Sequence, residues 1–449
     1  MSVAATLALL AAVSAAPATP PVSPDPAATR QRIDAALDRG YPELEALYRD
    51  IHAHPELAFQ ETRTAAVLAA RMRALGFTVT EHVGKTGLVA IYRNGAGPTV
   101  MIRTELDALP LLEKTDLSYA SHAEQPVEGK PTPVDHACGH DIHMAWWIGT
   151  ADALLAIKDQ WHGTLLFVAQ PAEEIISGAK AMVADGLFTR FPRPDFSIAA
   201  HVGPDPTGTV TIKQGVMSSA SDTVAITFHG VGAHGSMPDK AIDPIVEGAQ
   251  FVTDVQTVIS RRKDPKQFGV VTVGSFNGGT VANIIPDHAD LQLTLRSFDP
   301  QVRALLNEGV ATTAKAVAEM AHAPAPDVRH LFGAASVIND AALAAEYARL
   351  LVVALPSHRI DLVPESEPGG SASEDYSAFV EAGAGRSVYF GIGGYEPATI
   401  ARYKAEGKPL PVNHSPYFAP APEPSIKTGV EVLTIASLAA FNRSPASAR

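Results

Sequence analysis

Three short apolar runs in this chain each end in residues that can bind or move protons. Residues 99–103 read as a buried strand with Glu105 and Asp107 just beyond it. The run TLLFVAQ, 164–170, ends in Pro171 and then Glu173 and Glu174, while FSIAA, 196–200, leads directly into His201. Between and before them the apolar spacing is helical. Residues 42–75 carry it through TAAVLAARMRALG, with Gly76 placed to end the helix, and 142–159 are apolar on nearly every face, which predicts a buried helix. Short strands are expected at 77–79 and 87–92. Strands alternating with helices predict an α/β fold with a mostly parallel sheet flanked by helices. Such sheets carry their sites outside the carboxyl ends of the strands.

From about residue 217 the pattern changes. A strand TVAITFHG leads through the glycine-rich GVGAHGSMPD to a helix over 243–262 and strands FGVVTVGSF and ADLQLTLRSF. A long helix over 300–323 and a strand VRHLFG follow. This βαββαβ order predicts a ferredoxin-like α+β satellite unit. The expected organisation is therefore a lead over 1–30, a catalytic domain over 31–216 and 336–449, and an inserted satellite over 217–335. In the last part, 341–355 reads as a helix, SASEDYSAF as a polar turn opening another, RSVYFGIGG as a strand and 425–441 as the final helix, with His414 in the loop before it. An edge strand of the satellite can pair with its copy in a second subunit, so a homodimer or a higher homo-oligomer is expected.

Length supports two domains, because 449 residues exceed what one core usually organises. The apolar stretch near the amino terminus, VAATLALLAAVSAA, is too short to span a bilayer and ends in small residues suited to signal cleavage; a proline-rich run follows. Export to the periplasm or the exterior is the expectation. The chain has one cysteine, Cys138, which rules out an internal disulfide and leaves a thiol that an oxidising compartment would attack unless it is buried or bound to a metal. A net charge of -13 argues against a nucleic-acid surface, and no further apolar span of membrane length is present. A small-molecule partner remains.

The stretch HACGHDIH, 136–143, holds that cysteine and three of the sixteen histidines. Gly139 permits a tight turn by which Cys138 and His140 can face one ion, and Asp141 is placed to cap a helix carrying His143. Thiolate and imidazole are ligands for zinc and its first-row neighbours. Two ions need about five or six ligands with one shared, and Cys138, His140, Glu174, His201 and His414 are the candidates. If Glu174 turns to the ions, its neighbour Glu173 is free to take a proton from water whose pKa a metal lowers to about 7. Two other readings stay open: a Cys138 nucleophile activated by histidine, and a two-lobed binding protein without chemistry.

HACGHDIH, QPAEE, AAHVGP, GVGAHGSMP, NIIPD and NHSP, in this order, resemble the M20 metallopeptidase family. The branch they are most similar to acts on N-acyl amino acids and includes hippurate hydrolases and indole-acetyl-amino-acid hydrolases. The resemblance runs from about His52 to the end. It implies that Cys138, His140, Glu174, His201 and His414 bind two divalent metal ions, with Glu173 as general base and acid. Zinc or manganese suits that donor set first, and cobalt or nickel also fit. It further implies that His234 stabilises the oxyanion, in a neighbouring subunit's site, and that Asn283 and Arg296 receive the free carboxylate of an N-acyl amino acid or small peptide. Asp107 would orient a ligand. The chain departs from the usual pattern at Glu105, where aspartate is common, at Asp135, where methionine is usual, and at Asp239, where histidine often follows the proline.

Overall fold

The computed structural model describes residues 26–443; the expected signal segment and most of the proline-rich lead lie outside them. The first helix, α1 (Pro26–Ala53), begins inside the stretch read as lead and contains Pro42. It does not run on to residue 75. Pro55 has no N–H to give a helix and disfavours helical geometry in the residue before it, so the chain breaks there and restarts as α2 (Thr62–Ala74).

Strands β1 (Thr78–Val83), β2 (Gly87–Asn94) and β3 (Thr99–Glu105) precede α3 (His140–Ala156). Then come β4 (Gly163–Gln170), β5 (Phe196–Pro206) and β6 (Thr209–Lys213). After these lie β7 (Ala220–His229), α4 (Pro244–Asp254), β8 (Gly269–Gly278), β9 (His288–Ser297), α5 (Pro300–Met320) and β10 (Asp327–Ala334). The chain ends with α6 (Ala341–Ala354), β11 (Arg359–Val363), β12 (Arg386–Tyr395) and α7 (Pro422–Phe441).

Eight strands form one sheet in the order β1-β2-β4-β3-β5-β12-β6-β11. Its centre, β4-β3-β5-β12, is parallel, and antiparallel pairs lie toward both edges. The parallel centre aims the carboxyl ends of β3, β4 and β5 the same way, which gathers residues that are far apart in sequence. Helix α3 packs beside this sheet against α1 and α7. Its all-round apolarity has the expected cause: Trp146 and Trp147 are fully buried, and the Trp147 indole donates to the Ile102 carbonyl at 3.0 Å. Removing an indole from such a position costs about 3–5 kcal/mol.

The second sheet, β8-β9-β7-β10, is antiparallel throughout and follows the βαββαβ order. Strand β9 alternates exposed and buried residues, and its inner side chains Leu291, Leu293 and Leu295 join Phe251 of α4 and Leu306 of α5 in a separate core. The two sheets are joined by adjacent segments, Gly215–Val216 and Ile338–Asn339, which pair antiparallel. No described helix is long and apolar enough to cross a membrane.

Candidate metal centre

The tight turn at Gly139 is real and demanding. Gly139 takes φ +89° as the residue before α3, and a Cβ there would meet Val202 Cγ1 at 2.5 Å. Only glycine satisfies both conditions, so Cys138 and His140 are delivered on either side of a fixed corner. Asp141 does not cap the helix as expected. It lies in the first turn, where its carboxylate meets His52 Nδ1 at 2.6 Å and accepts from the Ile142 N–H at 2.9 Å. Beyond β4, Ala172 and Ile176 adopt left-handed φ of 49° and 54°, and the Glu174 N–H donates to Asp107 Oδ2 at 2.9 Å. His414, at φ 69°, is tied by its N–H to the Ala137 carbonyl at 2.8 Å. The neighbouring Asn413 amide donates to the carbonyls of Cys138 at 3.0 Å and Val202 at 3.1 Å. That asparagine staples the last donor to the first and to the strand bearing His201.

The five expected donors converge. Cys138 Sγ lies 3.4 Å from His201 Nε2, and His414 Nε2 lies 3.2 Å from Glu174 Oε2. Donor atoms of Cys138, Glu174 and His414 fall within 4.8 Å of one another, as do those of His140, Glu173 and Glu174. Glu174 belongs to both groups. The free nitrogens point inward because the others are occupied: His140 Nδ1 binds the Asp107 carbonyl at 2.7 Å, and His201 Nδ1 binds the Val202 carbonyl at 2.8 Å. This outer contact fixes the tautomer of a metal-ligating histidine.

These residues fit a pair of cations. His140 Nε2 and Glu174 Oε1 are buried with no hydrogen-bond partner, an arrangement that costs free energy unless something fills the gap. Burial alone would lower His140, yet its bond to Asp107 and the nearby charges of Glu105 and Glu174 raise it to about 10. Burial would likewise raise Glu174, but His414 and His140 hold it below its ordinary value. The Cys138 thiol is pushed up by burial and by the Glu174 and Glu173 charges. That is the opposite of what an activated nucleophile needs, whereas a bound cation would favour the thiolate.

Behind the donors lies a charged hub that the sequence reading missed. Fully buried Arg103 binds Glu105, binds Glu374 Oε1 at 2.7 Å and donates its Nε–H to Gln170 Oε1 at 2.9 Å. Gln170 in turn donates to Asp375 at 2.5 Å, and the Tyr389 hydroxyl donates to Glu374 at 2.6 Å. Glu105, longer than the usual aspartate, also meets His143 Nδ1 at 2.9 Å, while His143 Nε2 accepts the Val202 N–H at 3.0 Å. Both nitrogens of His143 are thus engaged, and it supports the strand rather than offering a donor. Glu374 and Asp375 sit in the stretch read as a polar turn; an adjacent acid pair was the only signal.

A cavity of about 610 Å³ holds Cys138, Glu173, Glu174, His201 and His414, and Arg296 lines it from β9. His234 and Asn283 do not reach it. Both are exposed, His234 in a small two-stranded pairing and Asn283 just before its second strand; His234 Nδ1 accepts from the Ser236 hydroxyl at 2.7 Å and the Asn283 carbonyl accepts the Gly235 N–H at 2.8 Å. Asp239 is exposed beside Lys240, 3.0 Å away. Asp135 is buried, and burial with the Glu113 charge lifts it to about 7.

A parallel sheet that brings sulfur, imidazole and paired carboxylates to one edge defines a hydrolase working with bound cations. The chain belongs to peptidase family M20/M25/M40, whose sequence pattern matches residues 101–434. Hippurate hydrolase of Campylobacter jejuni is 38% identical over 283 residues, 62% of this chain and 70% of that protein. N-acetyl-L-cysteine deacetylase of Bacillus subtilis is 32% identical, covering 78% of this chain and 81% of the relative. Among solved structures, the YXEP protein of Bacillus subtilis, a dinuclear metal-binding peptidase of the M20 family, superposes with a TM-score of 0.70 at 25% identity. It covers 91% of this chain and 99% of that one. The protein is a metal-dependent amidohydrolase or carboxypeptidase of this family.

Proposed function

We propose that the chain hydrolyses the amide bond of N-acyl amino acids or small peptides, with Glu173 as general base and acid. Cys138, His140, Glu174, His201 and His414 would hold two divalent ions, zinc or manganese by preference of the donor set. When bound, the ions supply an acidified water and an electrophile for the carbonyl oxygen. The observation that carries the reading is the placement of Glu173. Its Oε2 lies 3.8 Å from His140 Nε2, in one group with His140 and Glu174. Burial, then the charges of Glu374 and Glu174, hold its carboxyl well above the usual range. Such a group keeps a proton taken from water long enough to pass it to the leaving nitrogen.

Arg296, half-buried, faces the same cavity and suits the substrate carboxylate. His234 and Asn283 serve the site of a second subunit, which agrees with their exposure and their absence from the lining of this cavity. We further read residues 217–335 as an inserted dimerisation domain and the chain as exported. The test is Glu173→Gln. Metal content measured on the purified variant should equal that of the wild type, while kcat on an N-acyl amino acid falls by about 10²–10⁴-fold. Turnover at the wild-type rate would remove Glu173 from the chemistry.

A further inference from the structure

Two charged side chains of the cavity make no ion pair with a described residue. One is Arg296, bonded only to the Ser221 hydroxyl and its neighbour's carbonyl. The other is Asp205, whose carboxylate has no hydrogen bond or ion pair. Glu374 also lines the cavity but is neutralised by Arg103. Arg296 is carried by β9 in the four-stranded sheet, and Asp205 by β5 in the large sheet, four residues beyond His201.

Asp205 is exposed yet not loosely placed. It stands between Pro204 and Pro206, so its own backbone is confined to extended geometry by the proline after it. Pro206 pairs with Tyr395 of β12, and the following N–H, of Thr207, donates to the Tyr395 carbonyl at 2.8 Å. The backbone that carries this carboxylate along the cavity is thus fixed by the sheet, which limits the backbone entropy lost when a ligand meets it.

We propose that Asp205 selects substrates carrying an ammonium group on the acyl side of the scissile amide. The favoured substrate is then a small zwitterion, an aminoacyl compound with a free amino end, rather than a plain N-acyl amino acid. The proposal rests on the amide-hydrolase reading, with Arg296 receiving the carboxylate. A cavity with one unpaired charge of each sign, on different walls, matches a ligand with one of each. It also disfavours acyl groups that end in a carboxylate, because like charges repel.

The experiment compares glycyl-phenylalanine with propionyl-phenylalanine, which put an ammonium and a methyl at the same position. Binding is measured by calorimetry to metal-loaded Glu173→Gln, so no turnover is needed. The glycyl compound should bind at least about threefold tighter, and the ratio should fall to about one in the Glu173→Gln/Asp205→Asn double variant. Added salt should shrink the ratio, because an exposed pair is screened. β-Alanyl and 4-aminobutyryl phenylalanine locate the ammonium: a maximum at glycyl assigns an α-amine, and a maximum at a longer chain an ω-amine, both supporting the role of Asp205. Equal binding of the first pair overturns the proposal, and so does a preference that survives loss of Asp205. Cleavage of these compounds by the wild-type holoenzyme is scored separately. Binding without cleavage sinks the hydrolase reading, while failure of all four to bind sinks both.

Discussion

His52 illustrates how a single side chain can set a pH limit. It is buried between Asp141, at 2.6 Å from Nδ1, and Glu113, at 3.2 Å from Nε2. Burial alone would lower its pKa, but the hydrogen bonds and charges of these two acids raise it from 6.5 to about 10. The folded chain therefore binds a proton at His52 more tightly than the unfolded one does. Stability from this contact is complete below about pH 6.5 and is lost as pH rises through about 10. Melting temperatures of the wild type and His52→Gln, followed from pH 6 to 10, should converge as pH increases; a difference that stays constant would show that the proton is not involved. Asp141 also explains why residue-level reading erred nearby. A capping role was the local inference, whereas a histidine 89 positions earlier in sequence claims the carboxylate. Long-range partners of that kind leave no mark in the local pattern.

At the level of elements, the turn into α3 is the most exposed to substitution. In Gly139→Ala the methyl must overlap Val202 and the backbone must hold a left-handed φ that alanine resists. A loss of about 1–3 kcal/mol in denaturant unfolding is expected, together with reduced metal retention after dialysis, since Cys138 and His140 flank the corner. Unchanged metal content would mean the turn can relax without moving its donors. This element was legible because glycine between two metal-binding residue types restricts the possible geometry. The parallel centre of the large sheet was legible too, from apolar runs ending in acids or histidine. Strands β6 and β11 were not, because each has only five residues and lies toward one edge of the sheet, and β11 has no fully buried position. The Arg103 hub was invisible for another reason: its partner Glu374 lies 271 positions further along the chain. Only its ring of acids from β3 and the 374–375 pair makes the burial tolerable.

On the scale of the whole molecule, the exposure of His234 gives a direct test of the subunit arrangement. If His234 serves a partner's site, Glu173→Gln and His234→Ala proteins are each nearly inactive alone. Dissociated and reassociated together, they form mixed dimers with one intact composite site, and activity should recover to about a quarter of the wild-type value. No recovery would place His234 in its own subunit's reaction. The same global view applies to the proposed ion ligands, which come from positions 138, 140, 174, 201 and 414. No fragment of the chain holds the full set, so an unfolded chain cannot match the folded one's affinity. Ion uptake is then a readout of folding as a whole: a lesion in a remote core lowers apparent affinity without touching a ligand, and raising the free ion concentration rescues it by mass action.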